Sequence, residues 1–169
     1  MIHIRPSSLA DFHAIAELNR QAFERESEAK LVELIRYSDR YIPELELVTE
    51  LKSAVVGHIL FSYIDLVGQE NLLVLGLAPI AVRPQLQRQG IGSALVQAGL
   101  EAASLRGESM IIVLGHPHFY SRFGFEPSVS YGIESPFLLP KEVFMVKPLK
   151  NYQESYGGKV IYPPAFNSV

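Results

Sequence analysis

Apolar residues recur at two periods along this chain, and each change of period marks an element boundary. Residues 1–5 alternate as a strand, and Ser7-Ser8-Leu9-Ala10-Asp11 then offers a hydroxyl cap with an acid three residues on. Phe12, Ile15, Leu18 and Phe23 follow at helical spacing, which predicts a first helix. Residues 28–36 carry Leu31, Leu34 and Ile35 on one face and predict a second, short helix that stops before the breaker Pro43. Residues 45–51, 54–64 and 72–82 are rich in Val, Ile and Leu and are separated by turn-forming residues at 52–53 and 68–71, so they predict an antiparallel meander. A third helix is expected with Ile91, Leu95, Ala98 and Ala102 as its buried face. It must cross over to a strand at 110–114, which makes that strand parallel to the one before the helix. Beyond Phe125 the chain turns to Pro, Gly and aromatic residues, with strand-like runs expected only at 143–149 and 159–162.

Composition narrows the picture to one domain. The 169 residues are 48% apolar, enough for a single core that buries about 70% of the unfolded surface, and no repeat or linker divides residues 1–169. No apolar run approaches the ~20 residues that span a bilayer. The first residues form a strand pattern rather than a basic and apolar leader, so a cytoplasmic protein without membrane association is expected. A net charge of −3 with scattered Lys and Arg offers no field to hold nucleic acid. The lack of cysteine removes disulfides, thiolate zinc sites and a cysteine nucleophile.

Candidate chemistry begins at Gln87-Arg88-Gln89-Gly90-Ile91-Gly92, between the last meander strand and the Ala-rich third helix. Two glycines one residue apart let the main chain take turns that a Cβ forbids, so successive N–H groups can converge on an anion. The helix start adds its own unpaired donors and about half a positive charge. The pattern reads as a diphosphate cradle, or more plainly as a helix start where glycine eases a turn. A Walker loop does not fit, because no Lys follows the second glycine. A dinucleotide fingerprint does not fit either, because Leu95 stands where the third glycine belongs and Pro84 intervenes after the strand. Arg83 and Arg88 flank the loop, either to neutralise phosphates or as solvated charges.

Context decides between these readings. Val82-Arg83-Pro84-Gln85-Leu86-Gln87-Arg88-Gln89-Gly90-Ile91-Gly92-Ser93-Ala94-Leu95, followed by Phe119-Tyr120-Ser121-Arg122-Phe123-Gly124-Phe125, resembles the Gcn5-related N-acetyltransferase (GNAT) superfamily. Its Gln/Arg-x-x-Gly-x-Gly/Ala motif is matched by Gln87, Gly90 and Gly92, and its Tyr-x-x-x-Gly-Phe motif by Tyr120, Gly124 and Phe125. In element order the resemblance covers residues 1 to about 127, and it is closest from Leu72 to Phe125. The remaining tail is similar to a small bacterial branch of predicted N-acetyltransferases.

The resemblance implies a mixed α/β fold: a largely antiparallel sheet with helices on both faces, whose fourth and fifth strands are parallel and splay apart to admit pantetheine. It implies an acetyl-CoA-dependent N-acetyltransferase, with acetyl-CoA as cosubstrate and no metal, moving the acetyl group directly to a primary amine of a small molecule or peptide. A monomer or homodimer is expected. Ile80, Ala81, Val82, Gln87, Arg88, Gln89, Gly90, Ile91, Gly92 and Ser93 are the expected coenzyme-binding residues. The alternative is a noncatalytic acyl-CoA-binding or regulatory module.

Acetyl transfer needs a deprotonated amine, a stabilised carbonyl oxygen and a proton for the leaving thiolate. By the resemblance, Tyr120 lies beside the sulfur as the acid, with a packed core tyrosine as the bland reading. The N–H groups of Ala81 or Val82 suit the oxyanion, and Gly76 and Pro79 suit a bulge in that strand. Relatives place a glutamate on this strand, but residues 72–82 hold no ionisable side chain. His116, with His118 beside it and both shortly before Tyr120, is then the candidate base, a water chain being the alternative. His58, Asp65 and Glu50 are further candidates, each more often structural. His116 and His118 lack a third ligand for a metal, and Val113 replaces the family's pantetheine-contacting asparagine.

Overall fold

A computed structural model describes residues 1–168. Two compact units are formed, one from residues 1–62, 78–102 and 165–168, the other from residues 63–77 and 103–164. Strands hydrogen-bond in the order β1-β2-β3-β4-β5-β8-β6, with β9 joined to β3 and β7. These are β1 Ile2–Pro6, β2 Tyr41–Leu51, β3 Ala54–Val67, β4 Asn71–Val82, β5 Met110–Leu114, β6 Glu126–Pro127, β7 Ile133–Glu134, β8 Phe144–Pro148 and β9 Gly158–Ile161. The four α-helices are α1 Phe12–Phe23, α2 Ser27–Arg36, α3 Ile91–Arg106 and α4 Pro117–Tyr120.

In the first unit β1 runs antiparallel to β2, from Ile2 opposite Leu51 to Pro6 opposite Leu47, and β2 runs antiparallel to β3. The expected cap closes at the start of the first helical segment. Asp11 accepts from the Ser8 main-chain N–H at 2.8 Å and from the Ser8 hydroxyl at 3.1 Å, and a single 3-10 turn then leads into α1. Pro43 does not end a helix before the strand. It lies inside β2, where the register jumps between Tyr41 and Glu46, a position at which its missing N–H takes nothing from the ladder. One sheet face carries α1 and α2, with Ile15, Leu31, Val32 and Ile35 packed on Val48 and Leu60.

The buried face of α3 also differs from the expectation. Ile91 and Leu95 are buried, but Ala98 and Ala102 are only partly so, and the contact is completed by Val96, Gly99, Leu100 and Ala103. Phe61 decides this. A Cβ on Gly99 would stand 2.2 Å from its ring, so the helix approaches the strand through a residue with no side chain.

In the second unit β4 is parallel to β5, as expected for the crossover, through Leu75 opposite Ile111 and Gly76 opposite Ile112. β8 covers the whole of β5 antiparallel, from Met110 opposite Pro148 to Leu114 opposite Phe144. The Pro- and Gly-rich tail holds more strand than its pattern implied. Besides β8 and β9, the two-residue strands β6 and β7 add to β8 and β9, too short to leave a periodic signal. Among the described residues no helix is long and apolar enough to cross a membrane.

Candidate active site

The Gly-rich loop forms a donor-rich turn at the head of α3. The first helical bond runs from the Ala94 N–H to the Gly90 carbonyl at 3.0 Å, which leaves the N–H groups of Ile91 and Gly92 without a main-chain acceptor among the described residues. Among the described residues the N–H groups of Arg88, Gln89 and Gly90 have no main-chain acceptor either. The two glycines are not equivalent. Gly90 takes φ +90 and Arg88 φ 62, whereas Gly92 lies within the helix. The second left-handed position is therefore an arginine, and alternation of hand is what turns consecutive N–H groups to one side. Gln87 points back: its side-chain amide donates to the Val82 carbonyl at 3.1 Å. It positions the loop against the end of β4, where Ala81 is buried and Ile80 and Val82 are partly so.

Tyr120 closes α4 in the second unit. Its ring is buried, edge-on to Phe119 and Phe125 with centroids 4.9 and 5.5 Å away, and lies against the backbone of Gly115, where a Cβ would be 2.4 Å from its Cε2. Its hydroxyl makes no hydrogen bond to any described residue, yet it is not one of the enclosed polar atoms lacking a partner, so solvent or a ligand reaches it. Burial pushes the phenol up to about 12. Tyr120 is thus protonated at neutral pH, with a donor available to something that is not protein.

His116 and His118 are exposed. His116 caps α4 through its carbonyl, which accepts from the N–H groups of Phe119 and Tyr120, both at 3.1 Å. The other candidate bases are engaged elsewhere. Glu50 accepts from Arg5 at 3.4 Å, and Asp65 lies in the ladder opposite Ile161. Among the described residues no three His, Asp or Glu side chains gather as a metal site.

His58 belongs to a buried network that sequence reasoning missed. Glu46 is wholly buried on β2, and it accepts from Ser7 Oγ at 3.0 Å, Tyr41 Oη at 2.6 Å, Arg36 at 3.1 and 2.6 Å, and His58 Nε2 at 2.8 Å. The other ring nitrogen of His58 faces the Asn19 amide at 3.2 Å, and that amide also donates to the Ile15 carbonyl at 3.0 Å. The hydrogen-bond pattern assigns the ring proton to Nε2, with Asn19 donating to Nδ1. Burial alone would raise the Glu46 carboxyl, but hydrogen bonds from His58, Arg36 and Tyr41 outweigh it and hold the group far below the usual carboxylate range. A carboxylate so saturated accepts no proton from a substrate, so it pins α1 and α2 to the sheet. The signal was an arginine ending α2 and a lone histidine on an apolar strand. Residues 45–49 are buried on both faces, so no alternation marked Glu46.

Comparison with known proteins agrees with this arrangement. A family model for an acetyltransferase (GNAT) domain matches residues 3–128. The chain is 36% identical over 142 residues to the N-acetyltransferase YjhQ of Escherichia coli K12, covering 83% of this chain and 77% of that one. The crystal structure of the E. coli GNAT family N-acetyltransferase YhbS in complex with CoA superimposes with a TM-score of 0.90 at 32% identity, over 98% of this chain and 92% of that one. A GNAT family acetyltransferase from Brucella melitensis in complex with acetyl-CoA gives 0.81 at 27% identity, over 99% of each chain.

Proposed function

Because the chain belongs to the GNAT acetyltransferase family, we propose that it moves the acetyl group of acetyl-CoA directly to a primary amine of a small molecule or peptide. The observation that carries this reading is the run of main-chain donors at Arg88, Gln89, Gly90, Ile91 and Gly92 that have no main-chain acceptor among the described residues, which suits a diphosphate without any charged side chain. CoA and acetyl-CoA bound to the two structural relatives support it. The whole chain acts as one catalytic domain, in the cytoplasm.

In this reading the donors of residues 88–93 hold the pyrophosphate, Gln87 fixes the loop, and the N–H groups at Ile80, Ala81 and Val82 serve pantetheine and the carbonyl oxygen. The amine nitrogen bonds to the acetyl carbon, the carbon–sulfur bond breaks, and the thiolate takes the Tyr120 proton. A phenol near 12 faces a thiol whose ordinary value is about 8.5, so full transfer to a solvated thiolate is uphill by about 3.5 units. The desolvation that raises the phenol also raises the thiol and narrows that gap. Tyr120 therefore acts first as a hydrogen-bond donor to the developing charge. The amine gives up its proton to His116 or to water.

The test is thiol release from acetyl-CoA with a mixed panel of primary amines. Tyr120→Phe is expected to lower turnover about 10²-fold or more while calorimetric CoA affinity stays close to wild type, since the hydroxyl makes no hydrogen bond to a described residue. Full activity in that variant removes Tyr120 from the chemistry. CoA binding with no turnover on any amine returns the chain to an acyl-CoA-binding module.

A further inference from the structure

Five consecutive apolar residues, Pro136-Phe137-Leu138-Leu139-Pro140, lie exposed in the second unit, and Leu138 is fully exposed at 105%. Water disfavours such a run unless something covers it. The segment is held in place rather than loose. Phe137 stacks on Tyr162 with centroids 5.7 Å apart, its N–H donates to Ser135 Oγ at 3.0 Å, and the Val143 N–H closes a turn onto the Pro140 carbonyl at 3.2 Å. Two prolines further limit its freedom. Its far end reaches the reacting tyrosine by a short path. The Gly115 N–H donates to the Val143 carbonyl at 2.9 Å, and the Tyr120 ring lies on Gly115. Leu114, nearly half exposed, sits beside this junction opposite Phe144.

We propose that this strip, Phe137, Leu138, Leu139 and Leu114, seats the apolar body of the acceptor, so that the substrate class is a primary amine carrying an aliphatic or aromatic group. The proposal rests on the acetyl-transfer reading above. Three observations select this occupant. The strip is tied to the turn bearing Tyr120 through the Pro140–Val143 turn and the Val143–Gly115 hydrogen bond. Four side chains of at most about 200 Å² each, three of them only about half exposed, fall well short of the roughly 800 Å² per partner of a stable dimer. The charges that follow it in the chain, Lys141 and Glu142, cancel, so they supply neither a basic field for an anionic membrane nor an acid to select a polycation.

The experiment uses the n-alkylamines from propylamine to heptylamine, whose amine basicities are nearly equal, with thiol release from acetyl-CoA as readout. In the wild type kcat/KM should climb with chain length, by up to about fourfold per methylene. Leu138→Ser/Leu139→Ser changes two solvent-facing side chains and spares the Phe137–Tyr162 stack, and it should flatten that slope while thermal unfolding stays unchanged. A flat wild-type slope, or the same slope in the variant, overturns the proposal. Calorimetry of the N-acetyl alkylamines in the presence of CoA gives the same slope without chemistry. If no amine reacts, the transfer reading fails, and this second series still decides the strip: chain-length-dependent affinity lost in the variant supports it, and no dependence overturns it. Sedimentation and vesicle flotation complete the test. A wild-type dimer or lipid binding that the variant loses, with the slope intact, assigns the strip to a second copy or a membrane and overturns the proposal.

Discussion

Replacing Glu46 by Gln keeps the shape of the side chain and removes its charge. The carboxylate accepts five hydrogen bonds, one each from Ser7, Tyr41 and His58 and two from Arg36. An amide offers one oxygen, and its NH₂ must face donors, so at least the two bonds at Oε2 or the three at Oε1 are lost. The Arg36 side chain is 12% exposed and loses its counterion, keeping one bond to the remaining amide oxygen and the Phe12 ring 3.5 Å from its guanidinium. Breaking a buried pair from one side costs about 3–5 kcal/mol, a large share of the roughly 5–15 kcal/mol by which whole proteins are stable. At about 2–4 °C per kcal/mol for a chain of this size, Tm should fall by roughly 6–20 °C. Urea unfolding gives the free energy directly, provided the m-value is unchanged. Arg36→Met made in the Glu46→Gln background should cost less than the two single losses added, because the stranded cation is removed. A loss below about 1 kcal/mol, or strict additivity, would show that water reaches the pair and that the network does not clamp the helices.

The same carboxylate shapes acid stability. Glu46 is held far below the usual range and Asp11, bonded first by Arg5 against the opposing effect of burial, sits at about 2. Their contribution is complete above the ordinary carboxylate value of about 4 and is lost as pH falls toward the folded values; Tm should drop steeply below about pH 4, less so in Glu46→Gln, and equal slopes would refute the assignment. Gly90→Val puts a β-branched residue at φ +90 with open space around its Cβ, so the fold should survive while calorimetric CoA affinity falls more than about tenfold; unchanged affinity in a folded variant refutes the cradle. His116→Ala should remove the ascending limb of the kcat/KM pH profile and slow turnover about 10²-fold, and a wild-type profile would assign the amine proton to water.

Local pattern carried the elements of this protein a long way. The Ser8–Asp11 cap, the first two helices, the meander strands and the crossover to a parallel β5 depend on residues close in sequence, where spacing and turn chemistry act directly. The loop at 87–93 and the Tyr120 to Phe125 turn were legible for the same reason, since each is a contiguous stretch whose backbone demands particular residues. Contacts between distant residues were not. Periodicity alone made Ala98 and Ala102 the inner face of α3, but the helix rotates to bring Gly99 onto Phe61, thirty-eight positions earlier in the chain. Pro43 is a helix breaker by its local rule, and only the β2–β3 register makes it a strand residue at a bulge. Glu46, Arg36, His58, Asn19 and Tyr41 come from four elements, each unremarkable alone. Folding brings them within hydrogen-bond reach, and burial then turns an ordinary carboxylate into a clamp. Which groups can act as acid or base was likewise a tertiary decision, because it depends on what water still touches: His58 is enclosed, His116 is exposed, and the Tyr120 hydroxyl is within a buried ring's reach of solvent with no hydrogen-bond partner among the described residues.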